Sequence, residues 1–192
     1  MQEKILQIRQ SLKSKTPLTA LALALTLPDI CGQVEYPEEE SESTGKHYKK
    51  KNTRKHYRKW FDKYAKYYYS DDEQWITNKG KIEDSYFTGE MCYKLRCAYL
   101  HSGNSKIDKQ ENKQDPNFKL IINGVDSISK IIYDSCDEKK EVKKLKIDVE
   151  TLCENICIAA ENYYNQKQGK GFEEHHIEII DVTKFRKLNQ PN

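Results

Sequence analysis

Arg96 and His101 stand five positions apart in the stretch YKLRCAYLHSGN, residues 93 to 104. An imidazole titrates near neutrality and can take a proton from a hydroxyl or return one to a leaving oxygen. An arginine is always charged, and its planar fork suits two phosphate oxygens, where it stabilises charge building up at phosphorus. Together the two types suit proton transfer beside a phosphate group. Residues 90 to 101 read as helical, and at about 100° per residue the two side chains lie about 140° apart around the axis. They therefore do not stack as an i, i+4 pair would. Either the last turn unwinds before His101, or the pair works with groups from elsewhere, such as the same pair in a second chain across an isologous contact. A structural role competes with both, because a cation and an imidazole near a helix C-terminus complement its dipole and can cap its last carbonyls.

A second candidate lies upstream. Residues 46 to 66 read KHYKKKNTRKHYRKWFDKYAK, with Asp62 as the only acid. Arg54, Lys55, Arg58 and Lys59 are the candidate RNA contacts, with a tyrosine or Trp60 stacking on a base. The alternative is a solvated face opposite an aromatic core stripe, neutralised by the neighbouring EEESE at 38 to 42. The net charge of +3 is too small to give a global attraction to nucleic acid, so any such attraction is local.

The six cysteines, Cys31, Cys92, Cys97, Cys136, Cys153 and Cys157, sit in hydrophobic contexts and read as reduced thiols in a cytoplasmic protein. Cys97 with His101, and Cys153 with Cys157, are i, i+4 pairs that could each present two metal ligands. Neither has the CxxC spacing of common zinc sites, and no metal or cofactor is expected. His175 and His176 fall in a polar tail where the sequence names no partner for them, and GKGFEE at 169 to 174 lacks the spacing of a phosphate-binding loop. The apolar run in TPLTALALALTLPDICG, residues 16 to 32, reads as a buried helix with Pro17 in its first turn. At about ten residues it is too short to span a bilayer, and the polar, helically spaced segment before it argues against a signal peptide, so no membrane partner is expected.

The elements that must position these residues emerge from periodicity. The 192 residues form a single domain, 33% charged and only 36% hydrophobic, with a modest core. Helices are expected over 2 to 15 and 17 to 26; Pro28 stops the second, Asp29 could cap the next segment and Gly32 supplies a turn. Residues 33 to 47 read as a loop. A third helix over 48 to 69 carries Tyr57, Trp60, Phe61, Tyr64, Tyr67 and Tyr68 as its aromatic stripe. A fourth over 84 to 102 turns Met91, Leu95 and Ala98 inward and ends at Gly103. FKLIIN and ISKIIYDS flank a turn around Gly124 and read as a β-hairpin; KLKID could add a strand before a helix at 149 to 166, and HIEIID another in the tail. The fold class is mainly α: a helical bundle over 1 to 116, with a small β-hairpin or sheet, a C-terminal helix and a tail over 117 to 192.

Arg96 and, after four residues, His101 at the end of a helix in an α-helical domain resemble the R-x4-6-H motif of the HEPN superfamily. The resemblance implies a HEPN-like bundle and a metal-independent ribonuclease acting as a homodimer, of the kind found in bacterial toxin-antitoxin and anti-phage defence. It makes His101 the general acid or base and Arg96 the phosphate-binding residue, with Tyr93 and Cys97 within a turn of Arg96 and shaping the site. RNA, a second copy, and an antitoxin or regulatory protein are the implied partners. In many members a polar residue, commonly asparagine, follows the arginine; here it is Cys97, a departure that bears on activity rather than on fold. LPDICG, RKWFDKY and LRCAYLHSG, in this order, also resemble a bacterial protein family of no assigned activity. A non-catalytic relative binding RNA, a nucleotide or a protein, and an unrelated helical protein, are the other readings of the same residues.

Overall fold

A computed structural model describes residues 1–37, 53–69, 85, 87–103, 117–122, 131–134 and 142–175. It is mainly helical with a small sheet. The helices are α1 (Gln2–Lys13), α2 (Pro17–Ala24), α3 (Leu27–Glu35), α4 (Thr53–Tyr64), α5 (Gly89–Ser102) and α6 (Val149–Gln166). The strands are β1 (Asn117–Ile121), β2 (Ile131–Asp134) and β3 (Val142–Asp148).

Pro17 sits in the first turn of α2, where its missing N–H costs nothing. α2 is apolar on nearly every side; it packs one face against α1, α5 and α6 and leaves Leu18 half exposed. Ala20, Leu21, Ala24 and Leu25 are fully buried. The aromatic stripe of α4 closes the core from the other side. Phe61 stacks on Tyr69 and meets Phe87 edge-on, while Trp60 meets Tyr163 of α6 edge-on. Trp60 and Tyr57 are fully buried, so neither is available as a platform for a base.

Three expectations are corrected by this packing. Pro28 does not end the second helix but lies in the first turn of α3, which comes after α2 across a two-residue junction, Leu25 and Thr26. The run Pro17–Glu35 thereby becomes 19 residues long, and by length and composition alone it could cross a membrane. Its Leu21, Leu25, Leu27 and Cys31 side chains are instead fully buried in the core. Gly32, expected in a turn, lies within α3 against the α4 backbone: a Cβ there would stand 2.8 Å from the His56 carbonyl carbon and oxygen. Finally, β1 and β2 do not form a hairpin. β3 lies between them, parallel to β1 (Phe118 opposite Leu145) and antiparallel to β2 (Ile132 opposite Lys144). The expected strand at HIEIID lies outside the described residues.

α6 packs into the same core as the helices that precede it. Its Leu152, Cys153, Ile156, Cys157, Ala160 and Tyr163 belong to the same buried cluster as Ile5, Leu21, Leu27, Trp60 and Leu95. At its start Asp148 caps the helix by accepting from the Thr151 N–H at 2.8 Å. Arg9 of α1 ties its outer face through Glu154 at 2.8 Å and Glu161 at 3.0 Å.

Glu35, the last residue of α3, binds α4 and the end of α6 at once. It accepts from Lys63 Nζ (2.6 Å), Tyr64 Oη (2.8 Å) and Tyr163 Oη (3.0 Å), and pairs with Lys167 Nζ at 2.9 Å. Burial alone would raise its pKa, but these donors, led by Lys63 and Lys167, outweigh burial and hold the carboxyl at about 2 instead of 4.5. Because the folded value lies below the unfolded one, the stabilisation is complete above the unfolded pKa of 4.5 and disappears as the pH falls through about 2. The urea midpoints of wild type and Glu35→Gln are therefore expected to differ most near neutrality and to converge across that window. A separation independent of pH would contradict an ionised Glu35 as the hub.

Candidate functional site

The site is built on α5. Thr88 caps its start, the Gly89 N–H donates to Asp62 Oδ1 of α4 at 2.7 Å, and Gly103 ends it in the left-handed region at φ 62°. The helix is unbroken through Ser102, which removes the alternative in which the last turn unwinds before His101. Over five residues the two side chains are separated by about 7.5 Å along the axis as well as about 140° around it. His101 is exposed at the last turn, whereas Arg96 lies on the flank facing α3.

There Arg96 Nε pairs with Asp29 Oδ2 at 2.6 Å, with side-chain exposures of 21% and 15%. Burial would lower the Arg96 pKa, but Asp29 reverses this and keeps the guanidinium charged. Burial raises the Asp29 carboxyl above its ordinary value despite the pull of Arg96. Local sequence presents Asp29 only as a helix cap, and nothing in it pairs that residue with Arg96; the contact exists because α3 and α5 both pack against α4.

Tyr93 sits one turn before Arg96 and links it to the basic helix. The Arg96 and Arg54 guanidinium carbons lie 5.8 and 5.7 Å from its ring centre, and Tyr57 meets it edge-on from the core at 5.4 Å. Arg54, Lys55, Arg58 and Lys59 do come together: with Asp62 they line an open groove of about 600 Å³ along α4. Glu90, in the first turn of α5, braces it by pairing with Arg54 at 2.9 Å and Arg58 at 2.7 Å. Among the described residues the groove and its brace thus bring together four cations and two carboxylates. Glu90 is legible in the sequence only as a residue of the helix; its bracing role comes from the crossing of α4 and α5.

Cys97, on the same face of α5 as Tyr93, is half-buried. Cys31, Cys92, Cys153 and Cys157 are buried. Burial pushes the Cys92 thiol up to about 12, even with the Tyr57 hydroxyl 3.2 Å from its sulfur, so it is no nucleophile at neutral pH. Among the described residues no group of three or more His, Cys, Asp or Glu could hold a metal ion. Gly169 and Gly171 form a turn at positive φ that packs Phe172 on Tyr163 and Tyr164. Cys136 and His176 lie outside the described residues.

No family model, curated protein or solved structure matches the chain. The functional reading therefore rests on the motif and on the geometry of α3, α4 and α5.

Proposed function

We propose that this protein is a metal-independent endoribonuclease of HEPN type that works as a homodimer in the cytoplasm, in bacterial toxin or anti-phage defence. Arg96 binds the scissile phosphate. His101 takes the proton from the ribose 2′-hydroxyl, or returns one to the departing 5′-oxygen, and the products are a 2′,3′-cyclic phosphate and a free 5′-hydroxyl. The α4 groove carries the RNA strand away from the scissile bond, with Tyr93 between the two. A protein antitoxin is the natural regulator of such an activity.

The observation that carries this reading is the unbroken helix from Gly89 to Ser102. With Arg96 and His101 fixed on different sides of it, one chain does not bring them onto one phosphate, but two chains related by a two-fold axis can. The outward face of α5 suits such a contact: Tyr93, Cys97 and Leu100 recur at spacings of four and three, the seam of a helix pair. Leu100 is 37% exposed, and Leu18 of α2, whose carbonyl accepts from Tyr99 Oη at 2.9 Å, is 50% exposed. In an antiparallel pair crossing at Cys97, His101 of one chain lies opposite Tyr93 of the other, one turn from Arg96.

Three measurements test this. Purified protein incubated with RNA in EDTA is expected to leave cyclic-phosphate ends; intact RNA would argue against it. Under mild oxidation the chain is expected to form a disulfide-linked dimer that Cys97→Ser abolishes, since a crossing at Cys97 brings the two Cα atoms within about 7 Å. A monomer by light scattering would remove the shared site. The second reading, a non-catalytic RNA-binding module, is favoured by the engagement of Arg96 with Asp29, which already supplies that cation with a partner. It predicts RNA binding without cleavage.

A further inference from the structure

We propose that Asp29 is a positioning residue: by holding Arg96 through Nε, it fixes the guanidinium so that the opposite, two-Nη edge is presented to a phosphate. The inference rests on the ribonuclease reading for the identity of the anion.

Three features set Asp29 apart from a simple surface partner. It sits in the first turn of α3, directly after Pro28, where the backbone is stiff and the helix N-terminus favours a carboxylate. That helix is locked against α4 by the close approach at Gly32. The contact is short, 2.6 Å, and both side chains are largely shielded from solvent; Oδ2 lies off the line of the Nε–H bond, so the hold is one of charge at close range rather than a directed hydrogen bond. A flexible arginine loses much of its side-chain freedom there before any ligand arrives. The Tyr93 ring and, behind it, the buried Tyr57 ring wall the other side. An arginine held by charge at Nε keeps its two-Nη edge for a bidentate ligand, the geometry a phosphate requires.

The competing account is a structural ion pair that merely staples α3 to α5. The two accounts part on Asp29→Glu. A longer carboxylate keeps the charge and the staple but moves the guanidinium by about one methylene, and misplacement on that scale is enough to cost about a hundredfold in rate.

The test uses the full chain in two arms. In the first, the Arg96 Nε–Hε resonance, assigned by its loss in Arg96→Lys, is followed by NMR for order and for its response to a 2′-deoxy oligonucleotide that cannot be cleaved. Wild type is expected to show a rigid Arg96 that shifts on titration; in Asp29→Asn the order is lost and the shift shrinks. In the second arm, RNA cleavage by Asp29→Glu is expected to lose at least tenfold in kcat with little change in KM, while melting stays near wild type. Full kcat in Asp29→Glu, or a rigid and responsive Arg96 in Asp29→Asn, would overturn the proposal. If Asp29→Asn does not fold, Asp29→Glu decides in both arms. If wild type does not cleave RNA at all, the ribonuclease reading fails, and the first arm alone decides: a response present in wild type and lost in the variant upholds Asp29 as the positioner of an anion-binding arginine, and no response in wild type refutes it.

Discussion

His101→Ala is expected to abolish RNA cleavage while leaving the fold untouched. General acid–base catalysis by one positioned side chain contributes about a hundredfold to ten-thousandfold. His101 is exposed and lies at the end of the helix, where Gly103, not the imidazole, supplies the cap through its N–H to the Tyr99 carbonyl at 3.2 Å. Melting is therefore expected to move by no more than about 0.5 kcal/mol, the ordinary scale for a surface substitution. Arg96→Ala is expected to remove cleavage to a comparable extent but with a different accompaniment. It strips a shielded carboxylate, Asp29, of its counter-charge, and that is destabilising by about 2 kcal/mol or more. Measuring kcat and thermal melting for both variants separates the two roles. Cleavage that survives in His101→Ala would sink the catalytic assignment outright. If Arg96→Ala loses stability and both proteins cleave like wild type, the pair only finishes and staples a helix.

How much of the molecule is legible in its sequence depends on how local the physics is. α6 is legible to the residue because its apolar period is strong and Asp148 stands where a cap is needed. The basic stripe of α4 is legible for the same reason, and so is the end of α5 at Gly103. Arg54, Lys55, Arg58 and Lys59 share a groove because helical spacing alone puts them on neighbouring faces. The failures are all tertiary. Gly32 looks like a turn in isolation, and Pro28 looks like a stop; only the approach of α4 explains a glycine inside α3, and only a helix starting at Leu27 makes that proline welcome. Strands β1 and β2 are each readable, but their separation by β3 comes from pairing over distances that no local pattern encodes. Asp29 and Glu90 escape recognition as site residues for the same reason, since their partners sit on other helices.

The dependence of the site on packing makes Gly32 the most informative position outside it. In an ordinary helix, glycine to alanine stabilises by about 1 kcal/mol. Here the added Cβ would stand 2.8 Å from the His56 carbonyl carbon and oxygen and 3.1 Å from the Tyr57 nitrogen, all backbone atoms that no rotamer change can move. α3 and α4 must separate, and the parting opens the interface that buries Tyr57 and Trp60. Overpacking of this kind costs about 1–3 kcal/mol, and occasionally more, so the propensity gain is overturned. We expect Gly32→Ala to lower Tm by about 5 °C, read by calorimetry. Gly103→Ala meets nothing within 4 Å and carries only the cost of a left-handed residue at φ 62°, so it should lose less. The larger consequence is functional. Because α3 also carries Asp29, displacing it from α4 moves the carboxylate that holds Arg96. Cleavage in Gly32→Ala is thus expected to fall at temperatures well below its Tm, whereas Gly103→Ala, at the far end of α5, should leave Arg96 in place. A Gly32→Ala protein as stable as wild type would mean that the two helices can slide apart freely, and with that the rigid backing assigned to Asp29 would be gone.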